Sequence, residues 1–509
     1  MHLSKSQYIR GHQCQKSLWL LKNRPELREV SKESESLFKK GISVGELAKE
    51  LFPNGIEITF DPDHFQEMID KTKELIANGT EVIYEATFSE EGIFVMADIL
   101  VRNGDRWDMY EVKGATGARD KKGDIKSQYL HDAAIQWHVL SKSISLGRAY
   151  IVHLDNTYER HGDLDVLKLF AFDDITDEVK EEESQIKEKL SVMEEMLKGD
   201  MPDIDIGTHC NSPYSCDFSR HCWQDIPKKN SVFQLSYAYG KQWALYRDGI
   251  VHLDDVPEEY PLSANASLQL KHYKSGKIKI DKEKIKKFLD GIEYPINFFD
   301  FETFQNPIPR FDKQRPYQQV PFQYSLHILY EDGTLEHKEF LGGEQSDPRY
   351  SLINQMLQDI TPKGSIVAYH KSFEETQIRN LAAYSDEKSE ALLALIDRFV
   401  DLEKPFSNKD YYHPGFNGRS SIKIVLPTLF PDDPELDYKK LGSIQNGGDA
   451  MDTFANLYLL KDPTKRESIR CDLLAYCRLD TLAMVRIWEM LRQLVKVDIL
   501  PVGDEIACG

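Results

Sequence analysis

Apolar residues recur at helical spacing over residues 37–52 (LFKKGISVGELAKELF) and 64–79 (HFQEMIDKTKELIANG), the second run ending in a glycine suited to a helix stop. From 81 to 114 the pattern changes. EVIYEATFSEEGIFVMADILVRNGDRWDMYEVKG predicts three strands separated by glycine-containing turns. Helical spacing returns at 127–143, RAYIVHLD (148–155) predicts a strand, and 178–199 predicts one long, partly exposed helix. This alternation predicts an α/β unit that closes near residue 225. Residues 231–290 read as a small joining segment, with two short helices around the glycine turn of ALYRDGIVHLDDVP and a lysine-rich run behind them. YPINFFDFETF (294–304), apolar on both sides of its acidic residues, predicts a central strand in a covered sheet. Residues 323–341 then predict a hairpin with an Asp-Gly turn, GSIVAY a strand leading into the helix FEETQIRNLAAYS, and 471–495 a strongly amphipathic helix. No internal repeat relates the two halves.

At 509 residues the chain is too long for one core, and the pattern divides it into domains at 1–226 and 293–503 with a helical, basic joining segment at 227–292. With 41% hydrophobic and 29% charged residues the composition is globular, not disordered. No run approaches eighteen apolar residues and no apolar signal region follows the first basic residues, so a cytoplasmic location and no membrane partner are expected. The 64 basic and 84 acidic residues give a formal charge of -20, which argues against a nucleic-acid coat over the whole surface but leaves room for a basic channel. Residues 1–30, with Lys5, Arg10, Lys16, Lys22, Arg24 and Arg28, are locally basic. So are residues 271–287, whose eight lysines read either as strand contacts or as the solvation of an exposed helix and hairpin.

Three groups of residues carry candidate chemistry. In the first, Asp98 interrupts an apolar run, and Glu111 and Lys113, two apart, share a strand face; a turn at Asn103 and Gly104 would bring Asp98 opposite them. The cluster reads either as a site for a hard divalent ion, an attacking water and a charge-stabilising lysine, or as a Glu111–Lys113 salt bridge at a sheet edge. The second group is Cys210, Cys216 and Cys222, five residues between each, with Cys14 the candidate fourth thiolate. Four thiolates suit an iron-sulfur cluster or zinc, and the link would clip both ends of the first domain. His209 and His221 also allow a mixed zinc site. Cys471, Cys477 and Cys508 look unrelated.

In the third group Asp300 and Glu302 share one face of their strand, and Tyr476 and Asp480, four apart, share one helix face. Glu374 supplies a further acid. An Asp-x-Glu strand with two distant acids is what two-metal phosphodiester hydrolysis requires, with the tyrosine placed to orient water. Ser372 and Glu375 fit a capping box, which leaves Glu374 the freer ligand, while the SFEE segment also reads as plain surface helix. Asp401 reads as support at a strand end.

The order of Asp98, about a dozen residues, Glu-Val-Lys and then a helix resembles the PD-(D/E)XK (restriction-endonuclease-like) superfamily. It is most similar to the RecB-like nucleases, which include CRISPR-associated (Cas4-like) single-strand exonucleases and exonuclease V. Members begin with a short L-S-x-S helix and a cysteine ahead of leucine and tryptophan, seen here as Leu3, Ser4, Lys5, Ser6, then Cys14, Lys16, Leu18 and Trp19. Their glutamine and tyrosine, four apart in the helix after the lysine, are replaced by Asp132 and Gln136. Their metal-binding histidine is missing; after Gly41 this chain has Gly45 and Glu46, so Glu46 is either an oxygen ligand in its place or a solvated helix residue. The resemblance implies a [4Fe-4S] cluster on Cys14, Cys210, Cys216 and Cys222, with structural Zn2+ as the alternative. The third group resembles the DnaQ-like proofreading exonucleases of the RNase H-like fold, in the subgroup with a tyrosine in the third motif. Glu374 stands where that family has aspartate. Together the two halves look like a bacterial family joining a RecB-like to a DnaQ-like domain. The resemblance implies a DNA exonuclease with two Mg2+ or Mn2+ centres acting on single-stranded DNA or DNA ends, alone or with a helicase in a repair or defence complex. An RNA-directed exonuclease and a binding scaffold with one degenerate centre are the alternatives.

Overall fold

The computed structural model describes residues 3–30, 32–496 and 505–507; Cys508 and the expected domain end at 497–503 lie outside them. The protein is a mixed α/β structure. It separates into two compact units, Met1–Asp225 with Asn306–Gln318, and Ile226–Gln305 with Gln319–Gly509. Residues 227–292 therefore lie within the second unit. Among the described residues no helix is long and apolar enough to cross a membrane.

The first unit is built on β1 (Leu3–Ser4), β2 (Ile56–Glu57), β3 (Val82–Glu90), β4 (Ile93–Asn103), β5 (Arg106–Lys113), β6 (Leu146–Leu154) and β7 (Phe170–Asp174). They form one sheet in the order β2-β3-β4-β5-β6-β7, with β1 on the far end of β4. β3, β4 and β5 are consecutive antiparallel neighbours, and β6 runs parallel to β5. Alternation in β4 buries Val95, Ala97 and Ile99, and the helix Ser127–Leu140 packs Ala133, Ala134 and Ile135 over the same sheet. The β3–β4 register is continuous, with Tyr84 facing Ile99 and Ala86 facing Ala97, and Glu85, between them at φ +54°, stands level with Asp98.

The single acidic helix expected over 178–199 is two helices, Thr176–Glu183 and Ile186–Lys198. The Ser184 hydroxyl donates to the Glu181 carbonyl at 2.7 Å, a local bond that competes with helix continuation. The second helix buries Ile186, Leu190, Met193 and Leu197 in the same core cluster as Val179 of the first.

The second unit holds β8 (Lys277–Ile280), β9 (Ile296–Phe304), β10 (Val320–Leu329), β11 (Leu335–Leu341), β12 (Ile366–Ala368), β13 (Phe399–Asp401), β14 (Tyr411–Tyr412) and β15 (Glu505–Ala507). A five-stranded sheet runs β11-β10-β9-β12-β13, and a three-stranded sheet β14-β8-β15. β9 is central, antiparallel to β10 and parallel to β12, as its two-sided apolar pattern requires. Phe299 and Phe301 pack on one face, with the helices Arg349–Asp359 and Ser372–Tyr384. Phe298 packs on the other, with Ala483, Met484 and Trp488 of the helix Pro463–Lys496. Asp300 and Glu302 share the parity of Phe298, which turns them toward the long helix.

Candidate metal centres

In the first unit the β4–β5 hairpin folds back at Gly104, and Asp98 Oδ2 accepts the backbone N–H of Val112 at 2.7 Å. Lys113 Nζ donates to Glu111 Oε1 at 2.6 Å and also pairs with Asp132. Gln136 Nε2 donates to Glu111 Oε2 at 2.6 Å. Lys5, from the first helix, adds a second ammonium, 3.0 Å from Glu111 Oε1 and 3.3 Å from Asp132 Oδ1. Two buried carboxylates, Glu111 and Asp132, therefore face two ammonium groups, with the partly buried Asp98 beside them. Burial and the neighbouring Glu111 push Asp98 up to about 7. Burial acts the same way on Glu111, but Lys113 and Lys5 outweigh it and hold that carboxyl well below its ordinary range. Glu85, level with Asp98 on the neighbouring strand, brings one more carboxylate near, raised by its own burial.

Glu46 is not brought to this cluster. Its carboxylate is 61% exposed and paired with Lys49 at 2.8 Å, on the solvent side of its helix. Nor, among the described residues, do Asp98 and Glu111 form a group of three His, Cys, Asp or Glu ligand atoms within 4.8 Å of one another; Lys5 and Lys113 pair with Glu111 instead. In the sequence Lys5 belongs to a basic run and to the L-S-x-S segment, neither of which marks it as a partner of Glu111, and Glu85 carries no mark at all. The Ser-Lys-Ser ahead of a buried tyrosine carries no local sign of a partner 106 residues away.

Cys14, Cys210, Cys216 and Cys222 line one small cavity with Lys16, Ser17 and His209. Gly207 N–H donates to Cys210 Sγ at 3.5 Å, and the Ser17 hydroxyl lies 3.4 Å from Cys216 Sγ. Burial raises the thiols of Cys14 and Cys222, as expected for sulfurs crowded together without a cation. No three of these sulfurs lie within 4.8 Å of one another among the described residues. A tetrahedral zinc with Zn–S of about 2.3 Å needs sulfurs roughly 3.8 Å apart.

In the second unit Asp300, Glu302, Glu374, Tyr476 and Asp480 line one cavity of about 300 Å³, with Lys423, Tyr369 and Gln319. β9 supplies the first two, the first turn of Ser372–Tyr384 the third, and the long helix the last pair. That helix is pinned by the strand beside the carboxylates. Gln323, opposite Glu302, donates to the Leu473 carbonyl at 2.9 Å, and Ser325, opposite Asp300, lies 2.7 Å from the Thr481 hydroxyl. The Tyr438 hydroxyl donates to Asp480. Asp401 accepts the N–H groups of His370 and Glu403, each at 3.0 Å, and so shapes the loop ahead of Glu374.

Burial acts on all four acids, and repulsion from neighbouring carboxylates on Asp300, Glu302 and Glu374. Burial, then Asp480, Glu374 and Glu302, raise Asp300 well above the carboxylate range; burial and Asp480 do so for Glu302. Burial pushes Asp480 up to about 6 and Glu374 up to about 8. Glu374 Oε2 is buried with no hydrogen-bond partner. A carboxylate so placed is costly unless a cation compensates it, so the donor set fits divalent metal. The capping box expected at Ser372 is not formed: the helix is capped at Lys371 without a side-chain bond, and Glu375 pairs with Lys371 at 2.8 Å and Arg379 at 3.3 Å.

Cys477 corrects the sequence reading that set it aside. Its buried sulfur lies 3.8 Å from the Asp300 carbonyl and 3.9 Å from Asp300 Oδ2. With Asp300 and Glu302 it forms a group of donors lying within 4.8 Å of one another. Its position three residues before Asp480 was the available signal. A second such group is His12, His131 and Glu182 in the first unit.

Fold and sites thus define a mixed α/β protein with two side-chain clusters able to hold a metal ion. Residues 297–421 match a family described as a domain of unknown function, DUF2779. Among similar proteins, uncharacterized protein MG366 of Mycoplasma genitalium is 26% identical over 286 residues, 52% of this chain and 42% of the relative. Its Mycoplasma pneumoniae homolog is 28% identical over 209 residues, 37% of this chain and 31% of the relative. Uncharacterized protein UU173 of Ureaplasma parvum is 26% identical over 253 residues, 44% and 35% respectively. The chain spans less than half the length of each of these relatives.

Proposed function

We propose that the protein is a metal-dependent phosphodiesterase, a DNA exonuclease with a DnaQ-like centre in the second unit and a RecB-like centre in the first. The observation that carries this reading is the cavity where Asp300, Glu302, Glu374 and Asp480 meet, with Glu374 Oε2 buried and unpartnered. In this reading Asp300, Glu302, Glu374 and Asp480 would hold Mg2+ or Mn2+, which when bound would activate a water and neutralise the leaving oxygen. Tyr476 orients that water, and Tyr438 fixes Asp480.

In the first unit Asp98 and Glu111 are the carboxylates that would hold a divalent cation, which would supply charge neutralisation at a bound phosphate. Lys113 and Lys5 stabilise the charge that develops on the phosphate. Gln136 orients Glu111. Tyr214, half exposed and close enough to Lys113 to feel its charge, offers a ring on which a base of single-stranded nucleic acid can stack. The four cysteines, which line one cavity, would hold a [4Fe-4S] cluster, with structural Zn2+ the alternative that four thiolates also suit.

Turnover of end-labelled single-stranded DNA and RNA with Mg2+ or Mn2+, on protein purified without air, tests the reading. Stepwise shortening of DNA is expected. Shortening of RNA alone would move the substrate class. Absence of hydrolysis of both, by protein that binds single strands, would leave a scaffold.

A further inference from the structure

Lys5–Gln13 and Ser127–Leu140 are the two helices that deliver Lys5, Asp132 and Gln136 to Glu111. Away from that cluster the same two helices present His12 and His131 to each other, ring centroids 3.7 Å apart. The helix Thr176–Glu183 adds Glu182, with Oε1 3.5 Å from His131 Nε2. One ligand atom from each of the three lies within 4.8 Å of the others.

We propose that His12, His131 and Glu182 bind a borderline transition metal, Zn2+ in the first instance, which clamps the three helices beside the first carboxylate cluster. Two neutral imidazoles and a carboxylate suit zinc and not the hard ions held by oxygen-only sites. Two uncoordinated rings this close gain little from each other and would repel if both were protonated. A shared cation gives the contact a favourable reason to exist. His12 is exposed, so solvent reaches the ion from that side and completes its coordination. Tyr8, one turn before His12, holds a buried hydroxyl with no hydrogen-bond partner, and its ring stands edge-on to His12 at 6.3 Å. Lys189, 2.6 Å from Glu182 Oε1, holds the carboxylate in the ion's absence and yields it on binding. The clamp requires neither the substrate nor the reaction proposed above.

Calorimetric titration of the full chain with Zn2+, in excess Mg2+ and with the cysteine site filled, reads the proposal. One equivalent should bind the wild type, and binding should weaken at least 100-fold in His12→Asn and in His131→Asn. It should stay unchanged in His64→Asn, an exposed histidine elsewhere in the unit. X-ray absorption at the zinc edge should show two nitrogen neighbours at about 2.0 Å. Because His12 is exposed, His12→Asn keeps the fold and isolates the ligand effect. Equal binding by the wild type and both clamp variants, a sulfur-dominated spectrum, or no zinc uptake overturns the proposal.

Discussion

Replacing Glu374 by glutamine should stabilise the metal-free protein at alkaline pH while abolishing its response to Mn2+. The folded carboxyl is pushed up to about 8 from an ordinary 4.5. Below pH 4.5 the folded and unfolded chains both keep the proton, and this group contributes no pH dependence. Between 4.5 and 8 the unfolded chain has released it while the folded chain retains it, so stability falls as pH rises, at about 1.4 kcal/mol per pH unit. Over that window the ceiling is about 5 kcal/mol. Asp480, pushed up to about 6, adds to the slope below pH 6.

Glu374→Gln keeps the shape and removes the titration. The variant should match the wild type near pH 4.5 and exceed it by about 3 kcal/mol at pH 8, allowing for relaxation of the buried site. Urea unfolding of chelator-treated protein at pH 5, 6.5 and 8 measures this. Added Mn2+ at 100 times its Kd should then stabilise the wild type by about 2.7 kcal/mol and leave the variant unmoved. Parallel pH slopes for the two proteins, or a variant weaker than wild type at pH 8, would refute a buried carboxylate kept protonated until metal arrives.

Three further outcomes test the other groups. Protein purified without air should be brown and contain about four irons per chain, whereas a colourless folded protein with one zinc would replace the cluster by a zinc clip. Cys216→Ala should lower the melting temperature of the first unit far more than Cys471→Ala, because Cys471 is exposed and outside the four-cysteine cavity; equal melting would count against the clip. Lys113→Ala should cost the first centre about 2 to 4 kcal/mol in the transition state and spare the second, Asp300→Ala should do the reverse, and the double variant should leave no product. Ladders from 5'-labelled and 3'-labelled strands show this, and loss of every product in either single variant would contradict two independent centres.

Local periodicity settled a good deal. Alternation with glycine turns determined the β3–β4–β5 meander, because strand faces and tight turns depend on neighbours in sequence. It also determined that Asp300 and Glu302 look the same way, and helical spacing did so for Tyr476 and Asp480. What lay beyond it was whatever depends on packing. The break at Ser184 goes with the bond from its hydroxyl to the Glu181 carbonyl, and an acidic run with good helix propensity gives no sign of it.

Only the tertiary structure brought Lys5 to Glu111, Tyr438 to Asp480 and the Cys477 sulfur to Asp300. It alone turned Glu46 out to Lys49. A side chain's chemistry is written in the sequence, but its partner is chosen by how sheets and helices close over one another. The energy of a buried charge depends on that closure. The sequence by itself determined which residues carry charge, thiol and imidazole, and the faces on which they lie. The structure decided which of them are buried together, and therefore which carboxylates need a cation.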